Sequence, residues 1–282
     1  MAGSGPMKFR SFAAAVLLVA CGGSGTTEPP PQFFGGDRPV KLQLPTPLED
    51  GRDYPLLVIL HGYGASGLIQ KAFFGLDDVA ARGEAFVIAP DGLVDSDGKQ
   101  YWNADPACCD IDHANPDDVG YLGGVIEDVI AAWPIDRKQV RVIGHSNGGF
   151  MAYRLGCDRA DLITSLASLA GDAASVPCEP SEPVHVLHLH GTADEVIPFT
   201  GAVPSVEQWA AHNGCGTTRT PGATLDLDAA VDGAETQESS TTGCPAAGAV
   251  ELWTLTGSSH IPSLGLTFDT AISAWFADHP RP

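Results

Sequence analysis

The chain has 282 residues, 44% hydrophobic and 18% charged, a globular composition with enough length to bury a large single core. Thirty-five acidic residues stand against fifteen basic ones, a formal net charge of -20. A surface of that sign repels phosphate backbones and anionic headgroups, which argues against a nucleic-acid partner and leaves solubility as the plain meaning of the acidity.

The first element reads as an export signal. Lys8 and Arg10 form a basic start, and Phe12 to Ala20 is an apolar run too short to span a bilayer as a mature helix. It ends in Leu18-Val19-Ala20-Cys21, followed by Gly22 and Gly23. This is similar to a bacterial lipoprotein signal, in which Cys21 becomes the lipidated first residue after cleavage. An ordinary signal peptide with a chance cysteine is the alternative, and Met7 is a second candidate start. On this reading residues 1–21 are the signal, 22–36 a flexible tether rich in Gly, Thr and Pro, and 37–282 one folded domain. The protein is then exported, expected to be a monomer, and meets a membrane only through its N-terminal lipid.

Within the domain, short apolar runs alternate with helical patterns, the signature of an α/β protein with a mostly parallel sheet flanked by helices. The runs Leu56 to Leu60, Ala85 to Ala89, Val140 to Ile143, Val184 to Leu189 and Val250 to Leu255 predict strands buried on both faces. Val119, Leu122, Ile126, Val129, Ile130 and Trp133 recur at helical spacing, and Pro134 ends that helix. Asn115-Pro116-Asp117-Asp118 is expected to supply its cap, an early proline and acidic residues at the positive end of the helix. Further helices are predicted from Gly148 towards Leu155, over Val206 to His212, and over Thr270 to Phe276. Gly216 to Gly243 is rich in Thr, Gly, Ala and acids with little apolar periodicity, and reads as a long excursion.

Cys21 aside, six cysteines remain, an even number that suggests disulfides in an exported chain. Sequence order favours Cys157 with Cys178 and Cys215 with Cys244, each closing a local loop and stabilising the fold by roughly 3 kcal/mol on the chain-entropy model. Cys108 and Cys109 are then left to each other, or remain thiols. No cysteine spacing resembles a zinc site.

Gly144-His145-Ser146-Asn147-Gly148 follows a predicted strand and opens a predicted helix. A serine on that sharp turn stands above the sheet, and the flanking glycines remove side chains that would clash with strand and helix. This makes Ser146 the candidate nucleophile. Its partners are expected in the order acid then histidine, each on a loop after a later strand. Val184 to Leu189 runs into His190-Gly191-Thr192-Ala193-Asp194, and Val250 to Leu255 into Thr256-Gly257-Ser258-Ser259-His260. Asp194 is therefore the expected acid and His260 the expected base. Asp172 is a rival acid; His212 and His279 are rival bases expected at the surface. The backbone N–H of Asn147, at a helix N-terminus, and that of Tyr63, in Leu60-His61-Gly62-Tyr63-Gly64, are the expected oxyanion donors. Trp102, in Tyr101-Trp102-Asn103, is a candidate substrate-binding wall or else a buried anchor. His188 and His190 share a strand face, but no third ligand is spaced with them, so no metal is expected, and no cofactor is implied.

These residues bring a family into view. From about Phe34 to Phe276 the chain resembles the secreted polyhydroxybutyrate depolymerase and feruloyl esterase group, carbohydrate esterase family one-like members of the α/β-hydrolase superfamily. The resemblance rests on His61-Gly62-Tyr63-Gly64, Ala89-Pro90-Asp91-Gly92, Trp102-Asn103-Ala104 with Cys108-Cys109, Asp117-Asp118-Val119-Gly120-Tyr121, Gly144-His145-Ser146-Asn147-Gly148-Gly149 and His190-Gly191-Thr192-Ala193-Asp194. It implies an α/β-hydrolase fold, with the family's nucleophile, acid and base mapping onto Ser146, Asp194 and His260. It also implies ester hydrolysis through an acyl-enzyme, on feruloyl or acetyl esters of plant polysaccharide or on hydroxyalkanoate oligomers. Family members often show a glycine run, then His, then Thr-Trp-Pro. Here the loop reads Ser258-Ser259-His260-Ile261-Pro262-Ser263, so the base is kept and the tryptophan is absent. No carbohydrate- or polyester-binding module is evident, which points to soluble esters or oligomers. Two other classes fit the same residues: an inactive lipid-anchored binding protein on a hydrolase scaffold, and a serine peptidase.

Overall fold

The computed structural model describes Met1 and residues 29–106, 108–173 and 178–282. Residues 2–28, which hold the rest of the expected signal, Cys21 as its expected lipid attachment and the first part of the tether, lie outside the described residues. The folded unit begins at Pro31. The end of the expected tether is already structured, because strand β1 (Phe33–Phe34) pairs antiparallel with β2 (Val40–Lys41).

The remaining elements, in chain order, alternate as the apolar runs require. They are β3 (Tyr54–Leu60), α1 (Gly67–Phe73), β4 (Phe86–Ile88), β5 (Leu93–Val94), β6 (Gln100–Tyr101), α2 (Asp118–Ala132), β7 (Ile135–His145), α3 (Asn147–Asp158), β8 (Ser165–Leu169), β9 (His185–Gly191), α4 (Ala202–His212), β10 (Arg219–Leu225), β11 (Thr236–Thr241), β12 (Val250–Leu255) and α5 (Leu266–Asp278). The large sheet has the order β10-β11-β12-β9-β8-β7-β3-β4. From β4 to β12 every neighbouring pair is parallel, and β11 and β10 continue the sheet antiparallel.

Side-chain alternation along the strands separates two cores. Val58, Val142, Leu166, Val186 and Leu252 face α2, α3 and α4. Ile59, Ile143, Ala167, Leu187 and Trp253 face the opposite layer, where Phe268, Ile272, Trp275 and Phe276 of α5 pack. Burial on both faces makes β3, the second half of β7 and much of β12 read as largely apolar runs, while β9 is buried throughout yet carries His185, His188 and His190. All four end on one edge of the sheet, and the loops leaving that edge carry His61, Ser146, Asp194 and His260.

Three expectations need correction. The excursion at 216–243 contains the β10–β11 hairpin; its edge strand is largely exposed, so it carries no apolar alternation to announce itself. The α2 cap is Asp117, whose carboxylate accepts from the Gly120 N–H at 2.7 Å, and neither Asn115 nor Pro116 lies in the helix. Asp118 does more than complement the helix dipole. It is fully buried, accepts from Arg38 at 2.7 Å and from the Asn103 N–H at 2.8 Å, and so ties the start of the domain to the loop beneath the site. Among the described residues the disulfides are Cys108–Cys109, Cys157–Cys178 and Cys215–Cys244.

Candidate active site

The turn from β7 into α3 is made at a single residue. Ser146 has φ 53° and ψ −121°, in a region that costs a non-glycine residue about 1–3 kcal/mol. Local contacts hold it there. The Ser146 N–H donates to the Leu169 carbonyl at 2.8 Å. A Cβ on Gly144 would collide with the Gly148 carbonyl, and one on Gly148 with the Leu60 carbonyl, so only glycine permits the helix to start this close to β3 and β7.

Across the sheet edge, His260 Nε2 lies 2.9 Å from Ser146 Oγ, and His260 Nδ1 lies 2.7 Å from Asp194 Oδ2. A carboxylate oxygen only accepts, so Nδ1 carries the proton and Nε2 turns its lone pair to the hydroxyl. The carboxylate cannot swing away, because its Oδ1 accepts from the Val196 and Ile197 N–H groups, both at 2.8 Å. The Asp194 side chain is fully buried, and that of His260 is 12% exposed. The His260 loop is braced by a residue the sequence reading passed over. His145 Nε2–H donates to the His260 carbonyl at 2.8 Å, and burial pushes the His145 imidazole down to about 4, so it remains a neutral donor. Its signal was its place inside the Gly-His-Ser-Asn-Gly motif.

Asn147 is the first residue of α3, so its N–H points out of the helix N-terminus with no intrahelical acceptor. Tyr63 follows Gly62 at the end of β3, and a Cβ on Gly62 would sit 3.5 Å from Ser146 Cβ, which places this turn directly against the serine. The Gly62 N–H is taken by Gln70 Oε1 at 3.1 Å. The Tyr63 ring leans outward, its hydroxyl donating to Asp95 Oδ2 at 2.6 Å, and that bond pushes the hydroxyl up to about 12. The serine and imidazole open onto a cleft of about 220 Å³, with Tyr63, Ile69, Phe73 and Ile261 among its walls.

Residues 49–219, more than half of the chain, match the phospholipase/carboxylesterase family. The chain belongs to that family. The matched stretch holds Ser146 and Asp194, and His260 lies beyond it. The chain is 28% identical over 187 residues to feruloyl esterase C of Emericella nidulans, covering 64% of each chain. It is 28% identical over 198 residues to feruloyl esterase B of Piromyces equi, covering 63% of this chain and 36% of that one. It thus spans less than two thirds of the length of these relatives. Among solved structures, acetyl xylan esterase from Aspergillus awamori aligns with a TM-score of 0.63 at 15% identity, over 88% of this chain and 98% of that one. The Bacillus cereus carboxylesterase aligns with a TM-score of 0.56 at 14% identity, over 85% of this chain and 93% of that one. At these identities the structural likeness is one of fold, and the fold is the α/β-hydrolase sheet with its flanking helices.

Against this family frame the other expected site residues sort clearly. Trp102 is not a cleft wall. It is 0% exposed, with its indole N–H donating to the His61 carbonyl at 3.1 Å. Its backbone exchanges two bonds with the Asn147 side chain, at 2.7 and 2.9 Å, so it anchors the two oxyanion-side loops to each other from below. Cys108 Sγ approaches the same Asn147 amide at 3.7 Å. The His260 Nδ1 partner is Asp194, not Asp172. Asp172 lies beside His188 and His190, where the three offer potential ligand atoms within 4.8 Å of one another. The missing third neighbour therefore comes from the loop after β8. His212 and His279 are half-buried rather than surface residues, and His279 stacks on Trp275 with centroids 4.4 Å apart.

Proposed function

We propose that this protein hydrolyses carboxylic esters through an acyl-enzyme on Ser146. The observation that carries the reading is the unbroken contact chain Ser146 Oγ, His260 Nε2, His260 Nδ1, Asp194 Oδ2, at 2.9 and 2.7 Å. Ser146 Oγ attacks the ester carbonyl as His260 Nε2 takes its proton. The oxyanion is met by the N–H groups of Asn147 and Tyr63. Collapse of the intermediate breaks the C–O bond, and His260 returns the proton to the departing alcohol. A water then repeats the sequence, releasing the acid and restoring the serine. Asp194 holds the imidazole tautomer and stabilises the imidazolium; it does not take the proton.

The cleft supports an acyl group of one aromatic ring or a short alkyl chain. At about 220 Å³ it falls below the roughly 300–1,000 Å³ of pockets that enclose whole drug-sized ligands, and Phe73, Ile69 and Ile261 give it apolar walls. Hydroxycinnamoyl or acetyl esters of plant polysaccharide, and hydroxyalkanoate oligomers, fit that description. The feruloyl and acetyl xylan esterase names of the relatives support the first two. Export belongs to the same reading and is supported by the three disulfides. Cys21 is its proposed lipid attachment, readable as a diacylglyceryl mass on the N-terminal peptide.

Turnover on methyl ferulate, acetylated xylan and short hydroxybutyrate oligomers tests the function, with Ser146→Ala as control. The expected result is ester cleavage that falls by several orders of magnitude in the variant, as for triad deletions elsewhere. Retained activity in the purified variant would remove Ser146 from the mechanism.

A further inference from the structure

Behind the acid of the triad lies a buried row of three proton-bearing side chains. Tyr153 of α3 meets His188 of β9, with Oη 2.8 Å from Nδ1. His188 Nε2 lies 3.0 Å from His190 Nδ1. His190 Nε2 lies 2.9 Å from the Ile197 carbonyl and 3.3 Å from Asp194 Oδ2. Tyr153 is 3% exposed, and both histidines are 0% exposed.

With neutral rings, the direction of every proton follows from one end of the row. The Ile197 carbonyl and the Asp194 carboxylate can only accept, so His190 must carry its proton on Nε2. Its Nδ1 is then an acceptor, which requires the proton of His188 to be on Nε2. His188 Nδ1 is then an acceptor in turn, and the Tyr153 hydroxyl must donate to it. The opposite arrangement would aim a bare nitrogen at two oxygen acceptors. Burial supports a neutral His188 and a neutral Tyr153, pushing His188 well below the usual imidazole value and Tyr153 well above the usual phenol value.

The Asp172, His188 and His190 cluster could instead be taken for a metal site. The hydrogen bonds argue otherwise. All four imidazole nitrogens already face partners within hydrogen-bond distance, and one set of tautomers satisfies the whole row. A cation between His188 and His190 would break that row.

We propose that His190 is a positioning residue for the triad acid: it clamps the Asp194 carboxylate from the side away from His260, with its own tautomer set by His188 and Tyr153. The clamp has two grips. His190 Nε2 lies 3.3 Å from Asp194 Oδ2, an electrostatic contact beside the N–H's aim at Ile197. The same N–H holds the carbonyl of Ile197, whose amide N–H holds Asp194 Oδ1. Loss of His190 therefore loosens the carboxylate and the turn that supports it, and with them the aim of His260. This rests on Asp194 being the triad acid, yet its first test does not depend on hydrolysis.

That test is long-range ¹H–¹⁵N NMR on the histidine-labelled full chain, which distinguishes imidazole tautomers. His188 and His190 are expected as neutral Nε2–H forms, and removal of divalent metal by chelation is expected to leave them unchanged. A proton on Nδ1 of either ring, a doubly protonated ring, or a zinc-shifted resonance would overturn the proposal. The second test compares His190→Leu with His190→Gln, which returns an N–H near the Nε2 position. His190→Leu is expected to lower kcat about ten-fold, the scale of one hydrogen bond lost from the turn that holds the carboxylate, with KM within two-fold. It is also expected to shift the low-field proton resonance of His260 Nδ1. His190→Gln is expected to recover most of both. Equal losses in the two variants with an unmoved His260 resonance, or a His190→Leu enzyme within two-fold of wild type, would refute the clamp. Should His190→Leu fail to fold, the tautomer measurement on the unaltered chain still decides.

Discussion

Asp194→Asn changes one atom and meets a conflict that the surrounding groups cannot relieve. An asparagine has one acceptor oxygen where the carboxylate has two. If that oxygen takes the Oδ2 place, the new NH₂ confronts the Val196 and Ile197 N–H groups, fixed backbone donors now 2.8 Å from the Oδ1 position. Two part-buried donors would lose their acceptor, at up to about 1 kcal/mol each. The oxygen therefore keeps the Oδ1 place, and the NH₂ faces His260 Nδ1, 2.7 Å from the Oδ2 position. His260 answers by moving its proton to Nε2, which then points an N–H at Ser146 Oγ, and the base is lost. A wrong-tautomer histidine of this kind costs serine hydrolases about 10⁴ in kcat, or roughly 5–6 kcal/mol at 1.36 kcal/mol per decade. The assay is kcat at neutral pH on a p-nitrophenyl ester, with circular dichroism to establish the fold. A folded Asp194→Asn enzyme within about ten-fold of wild type would show that the Asp194 carboxylate is not what sets the tautomer of the imidazole.

Two further outcomes follow from the same structure. Replacing Cys157 and Cys178 together by serine opens a loop of sequence separation 21 and should lower stability by about 3 kcal/mol, with a Tm lower by roughly 6–12 °C and kcat retained; an unchanged melting curve would mean the bridge adds nothing. Burial pushes the His145 and His185 imidazoles down to about 4, against about 6.5 in the unfolded chain. Between those values the unfolded state holds protons that the native state refuses, so stability is full above about pH 6.5 and is lost as pH falls towards 4. The loss is on the order of a few kcal/mol in all, read as a falling urea midpoint from pH 7 to pH 4.5; a midpoint that rises or stays level over that range would contradict the buried-neutral assignment.

The strands that carry the site were legible because burial on both faces leaves them largely apolar, even where β9 interposes buried histidines. The triad was legible because its members leave the ends of those strands. What stayed hidden has equally physical causes. β8 escaped notice because Ser165 and Ser168 interrupt its apolar run; both are fully buried, and Ser168 is small where Gly149 of α3 passes over it. The β10–β11 hairpin sits at a sheet edge where polar residues suffice on the outer strand. α1 is short and leaves Leu68 and Ile69 71% and 60% exposed, so it has little helical periodicity to read. Trp102 was ambiguous because an aromatic in a polar loop reads alike whether it faces a ligand or the underside of the site. The row from Tyr153 to His190, and the approach of Asp172 to it, join α3, the loop after β8 and β9 in space. No spacing along the chain announces such a meeting.

Hydrolysis by this site depends on one hydroxyl, that of Ser146, having been made a nucleophile. Incubation with a fluorophosphonate followed by tryptic mass spectrometry reads this directly, because the peptide Val142–Arg154 contains Ser146 as its sole serine. The expected result is a single stoichiometric phosphonyl adduct on that residue, absent from Asp194→Asn protein over the same incubation. An unlabelled peptide in folded protein, or an adduct that maps to a different serine, would contradict the central claim.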